Sequence, residues 1–452
     1  MSKRKNVMVL LSVLMLASMV LSVMPAFAQD APIDVRMWIA FTDRRLDWAR
    51  EKAGEFNAAF PQYNVIVEGY DNYEDLFAAT ALAAEQGNLP EIVQYFEVAT
   101  QTARDSGYFK SIAEAIGDRT EINGVPVDFS DIIPVVSSYY TLDGQWTSMP
   151  WNSSSAIMYT NMELLAAAGL ENPPATWQEL EAACEAIMAL EDGPEGCITW
   201  PNYGWFFEQW MAAAGAPIAN NDNGRSARAD EVLLDSDAAV RIASWWQDMY
   251  NKGYYIYSGV QRDWNGTEQA FQSQQVAFIL TSSADAGNIT NAAADNGITV
   301  KTTRYPYDEE TGWNGNLIGG ASLWLADGLT PEVEDAALTF LLWFTNTENA
   351  ARWHQLTGYL PIRTSAAELL ESEGWFADSP NFATAGDQLS NTPVSVATAG
   401  GLFGDFPAIR NVMTQAFEDL MLTGGDPAER MAQAKADADV ILSEYNLLYG
   451  EE

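Results

Sequence analysis

Strand-like and helix-like segments alternate near the start of the chain, and this alternation limits the folds that are open to it. Three short runs rich in β-branched or aromatic residues predict strands, at residues 33–40, 65–68 and 91–95. Amphipathic segments between them predict two helices, at residues 46–60 and 73–86. This order is typical of a parallel sheet with crossover helices, so we predict the α/β class.

Two polar residues follow the carboxyl ends of predicted strands. Tyr73 comes just after the second strand and Glu97 just after the third. Ligands of α/β sheets bind beyond these strand ends. We therefore expect both side chains at the mouth of a binding site.

Residues 149–161 are predicted to carry the chain from one lobe to another. The first half of the segment contains Pro150 and three consecutive serines at residues 153–155, and an apolar run at residues 156–159 indicates a buried strand. Crossings between lobes are extended segments held by few contacts. We expect two lobes that close on a small polar ligand, with serine hydroxyls and backbone N–H groups at the cleft.

Residues 1–28 have the pattern of a signal peptide. Lys3, Arg4 and Lys5 precede an apolar stretch at residues 7–23, and Ala26-Phe27-Ala28 is a small-residue cleavage site. We expect cleavage near Ala28 and an exported protein, periplasmic or on the outer face of the cell membrane. The sequence after this stretch contains no other apolar run as long as a membrane span.

The charge balance excludes some partners. Loss of the leader would leave 20 of the 23 Lys and Arg residues against 62 Asp and Glu residues. Such a surface disfavours nucleic acid and anionic membranes. A small anionic ligand stays possible, because charges more than about 8 Å away are largely screened at physiological salt.

Cys184 and Cys197 are the two cysteines of the sequence. Export makes a disulfide between them chemically possible, and two buried thiols are an equal alternative. Two cysteines indicate neither a metal site nor redox chemistry.

Two later stretches are candidates for anion contacts. Ser282 follows a predicted strand at residues 276–280, where a serine cap presents its hydroxyl and free N–H groups to an anion. Gly319 and Gly320 lie in a predicted strand, where missing side chains permit close approach of a ligand. An ordinary N-cap and a ligand-free glycine bulge explain the same residues.

Seven separated motifs, taken together, resemble one family. They include Trp353-His354-Gln355-Leu356-Thr357-Gly358-Tyr359-Leu360-Pro361 and Gly319-Gly320-Ala321-Ser322-Leu323-Trp324, and the others lie at residues 72–74, 94–98, 150–154, 173–177 and 407–410. The set is similar to the extracellular solute-binding proteins of ABC importers, family 1, and within it to the members that bind sn-glycerol 3-phosphate. The resemblance covers nearly all of the chain after the leader.

The resemblance implies a set of ligand-binding residues. Tyr73 and Glu97 would hold glycerol hydroxyls, and Trp205 would form a wall of the pocket. The groups implied around the phosphate are Ser154, Ser282, the Gly320 N–H, Tyr359 and Arg410. A doubly charged phosphate needs a bidentate guanidinium and neutral donors. Without the resemblance, pairing of Arg410 with a surface carboxylate would be the simpler interpretation.

One departure from the pattern leaves the ligand open. Those relatives have two tryptophan walls, and here the second position is matched by Asn202 or Trp200. A lost wall would admit a glycerophosphodiester as well as sn-glycerol 3-phosphate, and a sugar or oligosaccharide is the alternative ligand.

The resemblance also implies the architecture and the partners. We expect a type II periplasmic-binding-protein fold with discontinuous lobes joined by hinge strands, one formed by residues 29–147 and 317–364, the other by residues 148–316 and 365–452. We expect a monomer that delivers its ligand to the transmembrane subunits of an ABC permease, without cofactor or metal. Arg410→Ala is expected to remove phosphate affinity without unfolding the protein.

An enzyme is the main alternative in another class. His354 is the single histidine, and the sequence lacks the HExxH, GxSxG and GxxxxGK[ST] motifs. A secreted glycoside hydrolase needs only two carboxylates, and 62 acidic residues offer many pairs. A surface adhesion module would show repeats or low-complexity linkers, and the sequence shows neither. We predict a binding protein rather than an enzyme.

Overall fold

The computed structural model describes residues 31–450, so the predicted leader and its cleavage site lie outside the described residues. The first of two large sheets has six strands. In spatial order five of them are Tyr63–Gly69, Ile33–Ile39, Ile92–Phe96, Gly319–Ala326 and Phe109–Lys110, and Met149–Ser154 also pairs with Gly319–Ala326. The three strands predicted near the start of the chain are all present and parallel, which confirms the α/β prediction. Gly319–Ala326 runs antiparallel to its neighbours, so the sheet is mixed.

The second sheet has five strands. Their order is Tyr255–Ile256, Ile198–Thr199, Phe278–Ser282, Ala156–Asn161 and Val300–Arg304. Ala156–Asn161 is antiparallel to both of its neighbours and fully buried. An apolar run buried on both faces needs no alternation of polar residues, which is why the sequence predicted it as a core strand.

Helices cover both sheets. Those of eight or more residues are Arg44–Ala59, Tyr73–Glu85, Trp177–Met188, Gly204–Ala213, Asp237–Asn251, Trp264–Gln272, Ala286–Asp295, Pro331–Phe344, Thr347–Thr357, Thr364–Ser372, Phe406–Leu422 and Pro427–Tyr449. The shorter helices are Thr100–Asp105, Ile112–Ile116, Pro134–Tyr140, Met162–Ala167, Asn220–Gly224, Trp375–Asp378 and Thr384–Ser390. Within residues 31–450, no helix is both long enough and apolar enough to cross a membrane.

The chain passes from the first sheet to the second at Ser155. Met149–Ser154 belongs to the first sheet and Ala156–Asn161 to the second, and one residue separates them. The Ser155 hydroxyl donates to the Leu317 carbonyl at 2.9 Å, and Gln388 donates to the Ser155 hydroxyl at 2.8 Å. This crossing lies seven residues after position 148, where the second lobe was predicted to begin. The lobe bounds themselves stay a prediction.

Aromatic side chains fill the cores on both sides. Trp200 is fully buried and stacks on Tyr255 with centroids 3.9 Å apart, beside Trp210. Trp151 and Trp353 stack at 4.9 Å on the first-sheet side. Packing of large cores therefore accounts for many of the aromatic residues in the sequence.

Cys184 and Cys197 form a disulfide. Cys184 lies in the helix Trp177–Met188, and Cys197 directly precedes the strand Ile198–Thr199. Both residues are fully buried, so the bond joins this helix to an inner strand of the second sheet.

Removal of this bond is expected to lower stability. The bond closes a loop with a sequence separation of 13, and a loop of this size corresponds to about 2–4 kcal/mol. The double variant Cys184→Ala/Cys197→Ala should unfold at lower denaturant than the oxidised wild type, and reductant should not change it further. Equal midpoints for the two proteins in urea titration would contradict this expectation.

Candidate functional site

Arg410 is the centre of a buried ionic cluster between the two sheets. It lies near the start of the helix Phe406–Leu422 and is 2% exposed. Its Nε and Nη2 donate to the two carboxylate oxygens of Glu208, both at 2.6 Å. Nη2 also donates to Oε1 of Glu97 at 2.8 Å, and Nη1 donates to the Tyr203 hydroxyl at 3.2 Å.

The cluster joins elements of both sheets. Glu97 follows the strand Ile92–Phe96 of the first sheet, while Tyr203 and Glu208 belong to the start and body of the helix Gly204–Ala213, which lies by the second sheet. Gly204 permits this approach, because a Cβ there would lie 2.8 Å from Cγ of Arg410. The site is therefore assembled from segments that are far apart in the sequence.

The electrostatics of the cluster follow from its burial. Burial raises the pKa of Glu97, and the Arg410 charge opposes this only in part, while Glu208 adds to the rise. Burial alone would lower the pKa of Arg410, but the negative charges of Glu208 and Glu97 outweigh it and hold that pKa well above its ordinary value. Arg410 is thus a permanent cation facing two carboxylates.

Glu208 was not among the residues predicted for the site. The structure shows that Arg410 pairs with buried carboxylates, not with a surface one, and that Glu208 takes the bidentate edge of the guanidinium. The signal was present in the sequence, since Glu208 is the single charged residue of a helix whose ten residues are all buried. A buried carboxylate needs a cationic partner.

A second polar cluster contains Tyr73, Asn152 and Gln94, and the Tyr359 hydroxyl lies near Tyr73. Asn152 donates to the Tyr73 hydroxyl at 2.8 Å and accepts from Gln94 at 2.8 Å. Burial raises the pKa of Tyr73, and the nearby Tyr359 hydroxyl and the Glu97 charge raise it further. Both phenols therefore stay neutral and act as hydrogen-bonding groups. The proximity of Glu97 to Tyr73 places the two clusters in one region.

Gly319 and Gly320 lie where the two sheets meet. Gly320 has φ +102°, and a Cβ on it would lie 1.8 Å from the Asn152 carbonyl oxygen. A Cβ on Gly319 would lie 2.5 Å from the ring of Trp205, and Gly319 pairs with Ser154 in the sheet. The structure thus brings together Ser154, Trp205 and the glycines, and contacts within the protein are enough to require both glycines.

Ser282 makes a local contact. Its hydroxyl accepts from the Ala284 N–H at 3.1 Å, as the N-cap of the short helix Ser283–Asp285. This is the ordinary capping role weighed for it from the sequence. The residues that follow Ser282 and precede Tyr359 pack closely against each other. A Cβ on Gly358 would lie 2.2 Å from the Ser283 carbonyl oxygen, so Ser282 and Tyr359 lie in the same region.

Comparison with known proteins decides the family. A family model described as "Bacterial extracellular solute-binding protein" matches residues 52–384. The chain belongs to this family.

This solute-binding protein has relatives over nearly its whole length. It is 31% identical over 398 residues to the sn-glycerol-3-phosphate-binding periplasmic protein UgpB of Yersinia pestis. This alignment covers 87% of this chain and 88% of the relative. The crystal structure of UgpB from Mycobacterium tuberculosis in complex with glycerophosphocholine superposes with a TM-score of 0.76 at 21% identity, covering 91% of this chain and 98% of that one. The GacH receptor of Streptomyces glaucescens, solved unliganded and with acarbose, superposes with a TM-score of 0.76 at 18% identity. That superposition covers 92% of this chain and 99% of the receptor. These likenesses confirm the two-lobed periplasmic-binding-protein fold.

The aromatic wall of the solute-binding protein differs from the expected pair. Trp200 is fully buried in the aromatic core beside Tyr255, and Asn202 donates to the Thr414 carbonyl at 3.1 Å. Trp264 lies beside Trp205, with ring centroids 6.2 Å apart, and is only partly buried. Trp264 was not predicted from the sequence, because it is distant in the chain from the motifs that carried the resemblance.

His354 is a structural residue in this arrangement. It is 1% exposed, and its Nδ1 lies 2.7 Å from the Tyr359 carbonyl oxygen. Burial lowers its pKa to about 4, more than the hydrogen bond to Tyr359 raises it. The ring is therefore neutral at physiological pH, and it fixes the backbone that carries Tyr359.

Arg410→Ala is expected to destabilise the folded protein, in contrast to the purely local effect expected from the sequence. The substitution leaves two buried carboxylates without a cation, which costs about 3–5 kcal/mol. Lys252→Ala is the matched control, because it removes a cation from an exposed pair with Glu181, worth at most about 1 kcal/mol. Urea unfolding of both variants measures the difference, and equal midpoints would contradict the structural role of Arg410.

Proposed function

We propose that this solute-binding protein captures a glycerol-bearing phosphate ester, sn-glycerol 3-phosphate or a glycerophosphodiester, between its lobes and delivers it to an ABC permease. The observation that carries the proposal is the convergence of Tyr73, Glu97, Tyr359 and Arg410 from both sheets on one buried polar region. The relative at 31% identity named for sn-glycerol 3-phosphate supports the ligand class. We further propose export after cleavage near Ala28, function as a monomer, and the lobe bounds given above.

The hydroxyl-binding part of the proposed site consists of Tyr73, Asn152 and Glu97. A glycerol hydroxyl both donates and accepts a hydrogen bond, and neutral phenol and amide groups offer both roles. The Glu97 carboxylate is a strong acceptor for a hydroxyl proton. Asn152 is held by Gln94, whose Oε1 in turn accepts from the Ala40 N–H at 2.6 Å, so this part is rigid before ligand enters.

The phosphate-binding part would consist of neutral donors and one cation. Ser154, Ser282, Tyr359 and the Gly320 N–H lie at the junction of the two sheets, and Arg410 supplies the positive charge. In the described arrangement the Ser282 hydroxyl accepts its capping hydrogen bond from the Ala284 N–H, so its own proton stays available to donate to a phosphate oxygen. Trp205, which lies against Gly319, and Trp264 beside it would form a wall of the pocket.

Entry of the ligand requires the lobes to separate. Arg262 binds Glu74 at 3.0 Å and Arg228 binds Asp105 at 2.9 Å, and these pairs connect elements of the two lobes at the rim. The Glu97–Arg410 pair does the same in the interior. Hinge closure around ligand is the motion expected of such a fold.

A sugar or polyol is the second candidate ligand. The specific observation in its favour is that Arg410 already faces two carboxylates. The positive charge of Arg410 is therefore compensated within the protein, and the site does not need a negatively charged ligand. The GacH neighbour, solved with acarbose, shares the fold. Binding without turnover is proposed for either ligand, because Glu97 and Glu208, the buried carboxylates of the cluster, are both held by one guanidinium.

Calorimetric titration of the chain from Gln29 onward, refolded to remove carried ligand, separates these candidates. We expect sn-glycerol 3-phosphate or glycerophosphocholine to bind with at least about a hundredfold higher affinity than maltose, since a charged ligand group gains charge-assisted hydrogen bonds that maltose lacks. Binding of maltose alone would favour the second candidate and overturn the phosphate assignment. Hydrolysis of a chromogenic glycoside by the same sample would contradict binding without turnover.

A further inference from the structure

Glu208 controls how much positive charge Arg410 presents to the cleft. Its two oxygens take the Nε and Nη2 protons of the guanidinium, both at 2.6 Å. The carboxylate is 3% exposed and is held on a fully buried helix, so it cannot swing away into solvent. Glu208 therefore acts through Arg410 and is a positioning residue for the binding site.

The cluster carries one positive and two negative charges. Arg410 is the cation, and Glu97 and Glu208 are the anions, with the neutral Tyr203 hydroxyl on the remaining side of the guanidinium. A further cation, Arg225, lies over the Tyr139 ring and donates to the Gly400 carbonyl at 3.1 Å.

The remaining charged pair near the cluster is internally balanced. Glu74 lies 3.3 Å from the Tyr203 hydroxyl and is paired with Arg262 at 3.0 Å. Among the charged groups around the guanidinium, Glu208 is therefore the one whose removal changes the charge of the site by a full unit without breaking the contact between Arg410 and Glu97.

The two proposed phosphate ligands differ in the net charge of their phosphate group. A phosphomonoester such as sn-glycerol 3-phosphate is mostly a dianion at pH 7.5, because its second pKa is about 6. A phosphodiester has no second proton to lose and stays a monoanion. A surplus carboxylate next to Arg410 penalises the dianion more than the monoanion, since charge repulsion is strong at buried sites.

We propose that Glu208 is a specificity-determining residue, which sets the charge at Arg410 so that the site prefers phosphodiesters over phosphomonoester dianions. This inference rests on the proposed binding of glycerol-bearing phosphate esters and narrows it to the glycerophosphodiesters. The preference depends on the single negative charge of a phosphodiester. It should therefore hold for any small group that forms the second ester bond to the phosphate.

The test compares two ligands that differ by one methyl group and one charge. Affinities of sn-glycerol 3-phosphate and of its phosphate methyl ester are measured by calorimetry at pH 7.5 for the wild type, Glu208→Gln, Glu208→Asp and Glu181→Gln. The wild type should prefer the methyl ester, and Glu208→Gln should reduce that preference at least about tenfold, since one buried charge is removed. Glu208→Asp keeps the charge and should keep the preference. Glu181→Gln removes a carboxylate from an exposed pair and should not change it.

A pH profile of the wild type tests the same idea without a substitution, and it decides the matter if Glu208→Gln fails to fold. Between pH 7.5 and 5.5 the monoester takes up its second proton, so its affinity should rise at least about fivefold relative to the methyl ester. Burial raises the pKa of Glu97, which faces the same guanidinium, and any protonation of this carboxylate as the pH falls would weaken the same repulsion and change the ratio in the same direction. A ratio that does not change with pH overturns the proposal.

The outcomes separate this proposal from the proposed function. If the wild type binds both esters and the preference is the same in Glu208→Gln, the specificity role of Glu208 is overturned and phosphate binding stands. If the wild type binds neither ester but Glu208→Gln binds the dianion, the role of Glu208 is supported and phosphate capture by the wild type is overturned. If neither protein binds either ester, both proposals are overturned.

Discussion

The burial of one guanidinium between two sheets is the constraint on which the rest of the site depends. A cation as deep as Arg410 is stable only with anionic partners and good hydrogen-bond geometry. Glu208 supplies one partner from the same side of the molecule, and Glu97 supplies the other from the first sheet. The Arg410–Glu97 pair therefore connects the helix Phe406–Leu422 to the end of a strand in the first sheet. Any ligand that enters must bind in the presence of these charges or rearrange them.

Close backbone packing at the crossing holds the second part of the site. Gly320 has a left-handed φ and no room for a Cβ against the Asn152 carbonyl, and Trp205 covers Gly319. Asn152 in turn positions Tyr73. Two of the chain crossings, at Ser155 and at the residues before Gly319, are joined by the Ser155–Leu317 hydrogen bond. The residues at this crossing are thus also among those proposed to contact the ligand.

Local patterns predicted the first sheet well. The three strands and two helices at its start depend on local hydrophobic periodicity and on end signals, both of which are visible in a single sequence. The same reasoning could not choose between a disulfide and two buried thiols for Cys184 and Cys197, because that choice depends on a distance in space. Ser282 was correctly recognised as a possible helix cap, and a cap is also a local feature.

The sequence by itself determined the α/β class, the first three strands and two helices of the first sheet and, through separated motifs, membership of the solute-binding family. Tertiary structure alone decided that Glu208 is the bidentate partner of Arg410, 202 positions away in the chain. It also placed Trp264 beside Trp205 and left Trp200 in the core. The physical reason is that charge pairing and aromatic packing depend on distances between distant segments, while periodicity and capping are properties of neighbouring residues.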